Sequence, residues 1–78
     1  MNIKICGPGC ASCTKTEEIV RQAVADSEVN AIIEKITDFA DIAQLGVLST
    51  PAVLINDRIK CVGKIPTQDE VNNWLKYM

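Results

Sequence analysis

The spacing of apolar residues changes abruptly near the start of the chain, and this constrains the fold more than any other feature. Residues 2–6, NIKIC, alternate apolar and polar as a half-buried strand requires, then stop at Gly7-Pro8-Gly9. From about Ala11 to Asp26 the period lengthens. Cys13, Thr16, Ile19, Val20, Ala23, Val24 and Ser27 recur at three- and four-residue steps, with Lys15, Glu17, Glu18, Arg21, Gln22 and Asp26 on the other side. A strand, a tight turn and an amphipathic helix begin a β-α-β unit, which implies a partly parallel sheet.

The remaining elements follow in the same manner. Val29 to Ile36 is rich in β-branched residues and reads as a second strand. Asp38 to Leu45 reads as a short helix with Phe39, Ile42 and Ala43 on its apolar side, ended by Gly46. After Ser49-Thr50-Pro51, the run Ala52-Val53-Leu54-Ile55 has no polar face, so it suits a strand covered on both sides. Asn56-Asp57 supplies turn chemistry, and Arg58 to Val62 returns as a hairpin partner whose charges, with Lys64 beyond it, fit a sheet edge. Thr67 and Glu70 form a capping box ahead of a helical stripe of Val71, Trp74, Leu75 and Met78. The order is β-α-β-α-β-β-α. It predicts an α/β domain: a four-stranded mixed sheet with helices on both faces and one antiparallel edge.

At 78 residues the chain has room for one domain, spanning 1–78. Hydrophobic residues form 47% of it but only Phe39, Trp74 and Tyr77 are aromatic, so the core is aliphatic. The net charge of −2 comes without a basic stripe, which argues against nucleic acid and membrane as partners. The start, MNIKIC, lacks the apolar segment of a signal peptide, so a cytoplasmic protein is expected. In a reducing compartment, four cysteines point to catalysis or metal binding rather than to structural disulfides.

Three of those cysteines, Cys6, Cys10 and Cys13, fall within CGPGCASC. The pair in Cys10-Ala11-Ser12-Cys13 stands where the loop becomes a helix. A sulfur there faces unpaired backbone N–H groups and the positive end of the helix dipole, which favour thiolate over thiol and make Cys10 a nucleophile. Cys13, one turn on and in register with Thr16 and Val20, is the shielded partner. Positions three apart on a helix are neighbours, so the two sulfurs come within reach of a disulfide. Cys6 is either strand-end packing or a third thiol beside Cys10. Cys61, alternating with Ile59, reads as a buried and inert thiol. The same residues permit a metal reading. Cys6, Cys10, Cys13 and Cys61 could bind zinc, and Cys6, Cys10 and Cys13 could bind a soft metal or metalloid such as Cu(I) or arsenite. No histidine is present, which removes Cys–His and Ser–His hydrolases. Neither a phosphate-binding glycine loop nor a dinucleotide fingerprint is present, so electrons must come from a partner.

The chain resembles the thioredoxin-fold superfamily, and within it the very small proteins called redox-active disulfide protein 2. The likeness rests on Gly9-Cys10-Ala11-Ser12-Cys13, on Gly46-Val47 with Ser49-Thr50-Pro51-Ala52, on Gly63 and on the element order. It implies that Cys10 attacks and Cys13 resolves, with no cofactor beyond the Cys10–Cys13 disulfide. It also implies that Thr50–Pro51 is a cis bond facing that disulfide. Thr50 and Pro51, with Gly9, Ala11 and Ser12 around the pair, would then contact the substrate. The implied partners are a thioredoxin-reductase-like electron donor and a disulfide-containing client protein. Two departures from ordinary thioredoxin, Gly9 in place of a tryptophan and Ala11-Ser12 in place of Gly-Pro, bear on which clients are accepted.

Overall fold

A computed structural model of the chain describes residues 1–9 and 11–76. Among these residues seven elements follow one another: β1 (Asn2–Cys6), α1 (Ala11–Ser27), β2 (Ile32–Ile36), α2 (Phe39–Gln44), β3 (Ala52–Ile55), β4 (Arg58–Val62) and α3 (Gln68–Lys76). The predicted order and the mixed four-stranded sheet are borne out, with strands arranged β2-β1-β3-β4. Met78, expected on the last helical stripe, and Tyr77 lie outside the described residues.

The apolar run of β3 explains the layering. All four of its residues are buried, and they alternate between two cores. Val53 and Ile55 join Ile3, Ile5, Val20, Ala23, Cys61, Val71 and Leu75 beneath α1 and α3. Ala52 and Leu54 join Cys6, Ile42 and Val47 beneath α2. Helices therefore cover both faces, as the pattern required.

Strand direction departs from expectation. β1 pairs in parallel with β2, but β3 runs antiparallel to β1 as well as to β4, so the sheet has two antiparallel pairs. β2 ends opposite Cys6 and β3 begins opposite the same residue, at Ala52. The connection that holds α2 therefore leaves and re-enters the sheet at one end, and β3 runs back against β1. β2 is also shorter than predicted, because β1 offers partners only from Asn2↔Ile32 to Cys6↔Ile36. Val29 and Ala31 still pack against the core without joining the ladder.

Capping holds the two later helices. Asp38 accepts from the Ala40 amide at 2.8 Å at the start of α2. At its end the Val47 amide donates to Ile42 O and the Gly46 amide to Ala43 O, with Gly46 at φ +84°. This is the Schellman pattern, and its usual apolar contact is here Ile42 with Val47. In α3, the Thr67 amide donates to the Glu70 carboxylate at 3.1 Å while the Glu70 amide donates to Thr67 Oγ1 at 3.2 Å. The capping box is therefore closed in both directions.

Two expected side-chain positions differ. Ile42 alone of the α2 trio is buried, whereas Phe39 is 67% exposed, because a helix of fewer than two turns turns only one residue onto the sheet. Ile59 and Cys61 do not share a face. A bulge in the ladder pairs Val53 with Cys61 but Leu54 with Ile59, so Lys60 is the extra residue and Ile59 swings outward.

Candidate active site

The site gathers at the end of the sheet where β1 stops, α1 starts and β3 begins. Cys10, which immediately precedes α1 in sequence, lies outside the described residues. Cys13 belongs to the first turn of α1 and is 4% exposed. It heads the stripe Cys13, Thr16, Val20 and Ala23, the buried face of the helix. The one polar side chain in that stripe is satisfied, since Thr16 Oγ1 donates to Ser12 O at 2.9 Å. No acidic residue stands in the first turn of α1, so no carboxylate there opposes an anion at the helix start.

The loop before β3 forms the opposite wall. The Thr50–Pro51 peptide bond is cis, with Pro51 buried and Thr50 half-buried. Gly63, just past β4, donates its amide to Pro51 O at 2.9 Å, which ties the loop to the edge of the sheet. Gly7 brings the two walls together. A Cβ added to it would overlap Cys13 Sγ, lie 2.9 Å from Cys13 Cβ and 3.9 Å from Thr50 Cβ. Cys13 and Thr50 thus flank the same backbone point. Gly9 and Ala11 are exposed, and Ser12 is half-buried.

Cys6 and Cys61 stand apart from this arrangement. Cys6, fully buried, packs with Ile42, Val47, Ala52 and Leu54 on the α2 side, and burial pushes its thiol pKa up. Cys61 is buried on the α1 and α3 side, and its thiol is likewise raised by burial. The sheet therefore separates the two sulfurs of the four-thiolate zinc set. Among the described residues, no three His, Cys, Asp or Glu side chains group as metal ligands.

Sequence reasoning missed two features of the site. One is the closeness of Gly7 to Cys13; the signal was a glycine at the strand end, read only as part of a turn. The other is a cleft of about 520 Å³ lined by Phe39, Ile42, Ala43, Val47, Leu48, Ser49 and Thr50. Two of its apolar side chains, Leu48 and Phe39, are largely exposed. No helix among the described residues is long and apolar enough to cross a membrane.

Comparison with known proteins agrees with this geometry. A family model described as a thioredoxin domain matches residues 1–76. A thioredoxin of Methanocaldococcus jannaschii is 42% identical over 74 residues, covering 95% of this chain and 85% of the relative. A thioredoxin of Methanothermobacter thermautotrophicus is 31% identical over 75 residues, covering 96% of this chain and 97% of the relative.

Proposed function

The chain belongs to the thioredoxin-domain family, and on that premise we propose that it is a thiol–disulfide oxidoreductase cycling between a Cys10–Cys13 disulfide and the dithiol. The observation that carries the reading is the placement of Cys13. It is a thiol-bearing residue shielded in the first turn of a helix that follows β1, with the Thr50–Pro51 loop beside it.

In the forward half-reaction, the Cys10 thiolate attacks one sulfur of a client disulfide and releases the first client thiolate. Cys13 then attacks Cys10, the Cys10–Cys13 bond forms, and the second client thiolate leaves. Two electrons pass to the client, and both released thiolates take up protons from solvent. Thr50 and Pro51, with Gly9, Ala11 and Ser12, form the surface on which the client strand lies. The cleft next to Thr50 favours a client with apolar residues flanking its disulfide.

The disulfide is the only redox group the cycle needs, and a thioredoxin-reductase-like partner restores the dithiol. The work suits a reducing cytoplasm, since Cys6 and Cys61 are unpaired thiols buried in the two cores. The whole of residues 1–78 acts as one domain.

Insulin reduction driven by dithiothreitol, compared across single Cys→Ser variants, tests the reading. Loss of activity in Cys10→Ser and Cys13→Ser, with Cys6→Ser and Cys61→Ser retaining it, is the expected result. Full activity in the first two variants overturns it. Stoichiometric metal in the purified protein, or arsenite bound with dependence on Cys6, Cys10 and Cys13, would favour a thiolate-binding protein instead.

A further inference from the structure

We infer that Gly7 is a positioning residue, whose missing side chain makes the space that the Cys13 sulfur occupies and so governs the second step of disulfide exchange. The inference rests on the redox reading above and adds to it a residue outside the C-x-x-C pair.

Backbone conformation does not explain the glycine. Of the four glycines in the chain, Gly9, Gly46 and Gly63 have positive φ and Gly7 does not. What requires glycine at position 7 is space. A methyl group there would overlap Cys13 Sγ and crowd Cys13 Cβ at 2.9 Å, closer than real Cβ atoms come to their neighbours.

Relief of that overlap falls on Cys13. The Gly7 amide donates to Ile36 O at 2.9 Å, so the backbone at residue 7 is held to the end of β2. The preceding Cys6 is fully buried and paired across the sheet with Ile36 and Ala52. On the other flank the added methyl would already be in van der Waals contact with Thr50 Cβ, at 3.9 Å. Helix α1 is itself anchored by Val20 and Ala23, both at 0% exposure. Rotation about the Cα–Cβ bond of Cys13 relieves the sulfur overlap by swinging Sγ away from the strand end. The contact with Cys13 Cβ at 2.9 Å needs a further small displacement of the residue itself, and both move the sulfur.

That swing acts on one step only. When Cys10 attacks a substrate disulfide, Cys13 is a bystander. When the mixed disulfide resolves, Cys13 supplies the nucleophile. Its thiol gives a proton to solvent, its sulfur bonds to Cys10, and the bond from Cys10 to the substrate sulfur breaks with the electron pair leaving on the substrate. Misplacing a reacting atom by about 1 Å can cost about 100-fold in rate.

An aromatic disulfide that releases one coloured thiolate at each step separates the two events. The reduced wild-type protein is expected to release two equivalents in two phases, the first from attack by Cys10 and the second from resolution by Cys13. Gly7→Ala is expected to keep the first rate within about twofold and to slow the second by about 10- to 100-fold. A second phase at the wild-type rate overturns the inference. Should Gly7→Ala fold poorly, its destabilisation in a Cys13→Ala background decides the matter. Recovery of most of the lost stability supports the contact, whereas additive losses refute it. If the wild-type first phase does not depend on Cys10, the redox reading itself fails, an outcome distinct from an unchanged second phase.

Discussion

Cys6 and Cys61 are both buried thiols, yet they face opposite sides of the sheet, on strands separated by β3. Burial raises the pKa of each above its ordinary value. The folded state thus holds these two protons more tightly than the unfolded chain does. Their contribution to stability is complete below the unfolded thiol pKa, about 8.5, and is lost as pH rises through the folded values. Urea midpoints are expected to fall from about pH 8.5 upward, and to fall less steeply in a Cys6→Ala/Cys61→Ala variant. Lys4, whose pKa is raised mainly by its hydrogen bond to Asp57, adds a decline of the same sign at higher pH. An equally steep alkaline limb in the double variant would contradict the thiol assignment.

At the acid end the sign reverses. The Thr67 amide, with Lys64 adding to it, holds the Glu70 carboxyl below its ordinary range. Arg21 and Lys35 do the same for Glu17. Stability from both groups is present above the unfolded carboxylate pKa, about 4.3, and is lost as pH falls through the lowered values. Glu70→Gln is expected to flatten part of the acid limb measured by urea unfolding between about pH 2 and 5. Thr67→Ala removes the other half of the box and is expected to cost about 1 kcal/mol at neutral pH. A Thr67→Ala variant as stable as the parent would mean that the box contributes nothing.

Leu54 links β3 to the smaller core. It is 1% exposed and packs with Cys6, Ile42, Val47 and Ala52. Leu54→Ala is expected to cost about 2–5 kcal/mol, since few neighbours can close the cavity. The loss should concentrate on α2. Hydrogen exchange at the Ile42 and Val47 amides, which hold the two ends of that helix, is expected to accelerate more than exchange in α1. Uniform acceleration across both helices would show that the two cores melt as one unit.

Elements whose signal is local were legible in the sequence. β3 and β4 carry the bounds predicted for them, because an unbroken apolar run and an Asn-Asp turn need no tertiary partner to be recognised. Asn56 and Asp57 both have the positive φ that a two-residue hairpin demands. The Thr67–Glu70 box was legible for the same reason. The direction of β3 was not, since it depends on which end of the sheet the connection from Ile36 to Ala52 returns to, and that is a tertiary choice. Neither was the outward turn of Ile59, because alternation is a rule for unbroken ladders and a one-residue bulge leaves no mark in composition. Within the site, Cys13 could be placed as a shielded residue from its helical register with Thr16 and Val20. The contact between Gly7 and Cys13 joins residues on two elements at an angle that periodicity does not encode.

The last expectation concerns the cleft. Leu48, 93% exposed, and Phe39, 67% exposed, line the same cleft as Thr50. If a client segment lies there, its apolar side chains bury Leu48 in the complex and leave α1 untouched. Leu48→Asp is then expected to raise KM for a protein disulfide about tenfold, the equivalent of losing roughly 1.4 kcal/mol of apolar contact. Because Leu48 is already in solvent, the free protein should unfold at an unchanged urea midpoint. A small aromatic disulfide does not reach the cleft, so its rate with the variant should match the parent. Equal KM values for the protein substrate would remove the cleft from the binding surface, while slowed reaction with both substrates would place the effect of Leu48 on the cysteine pair itself.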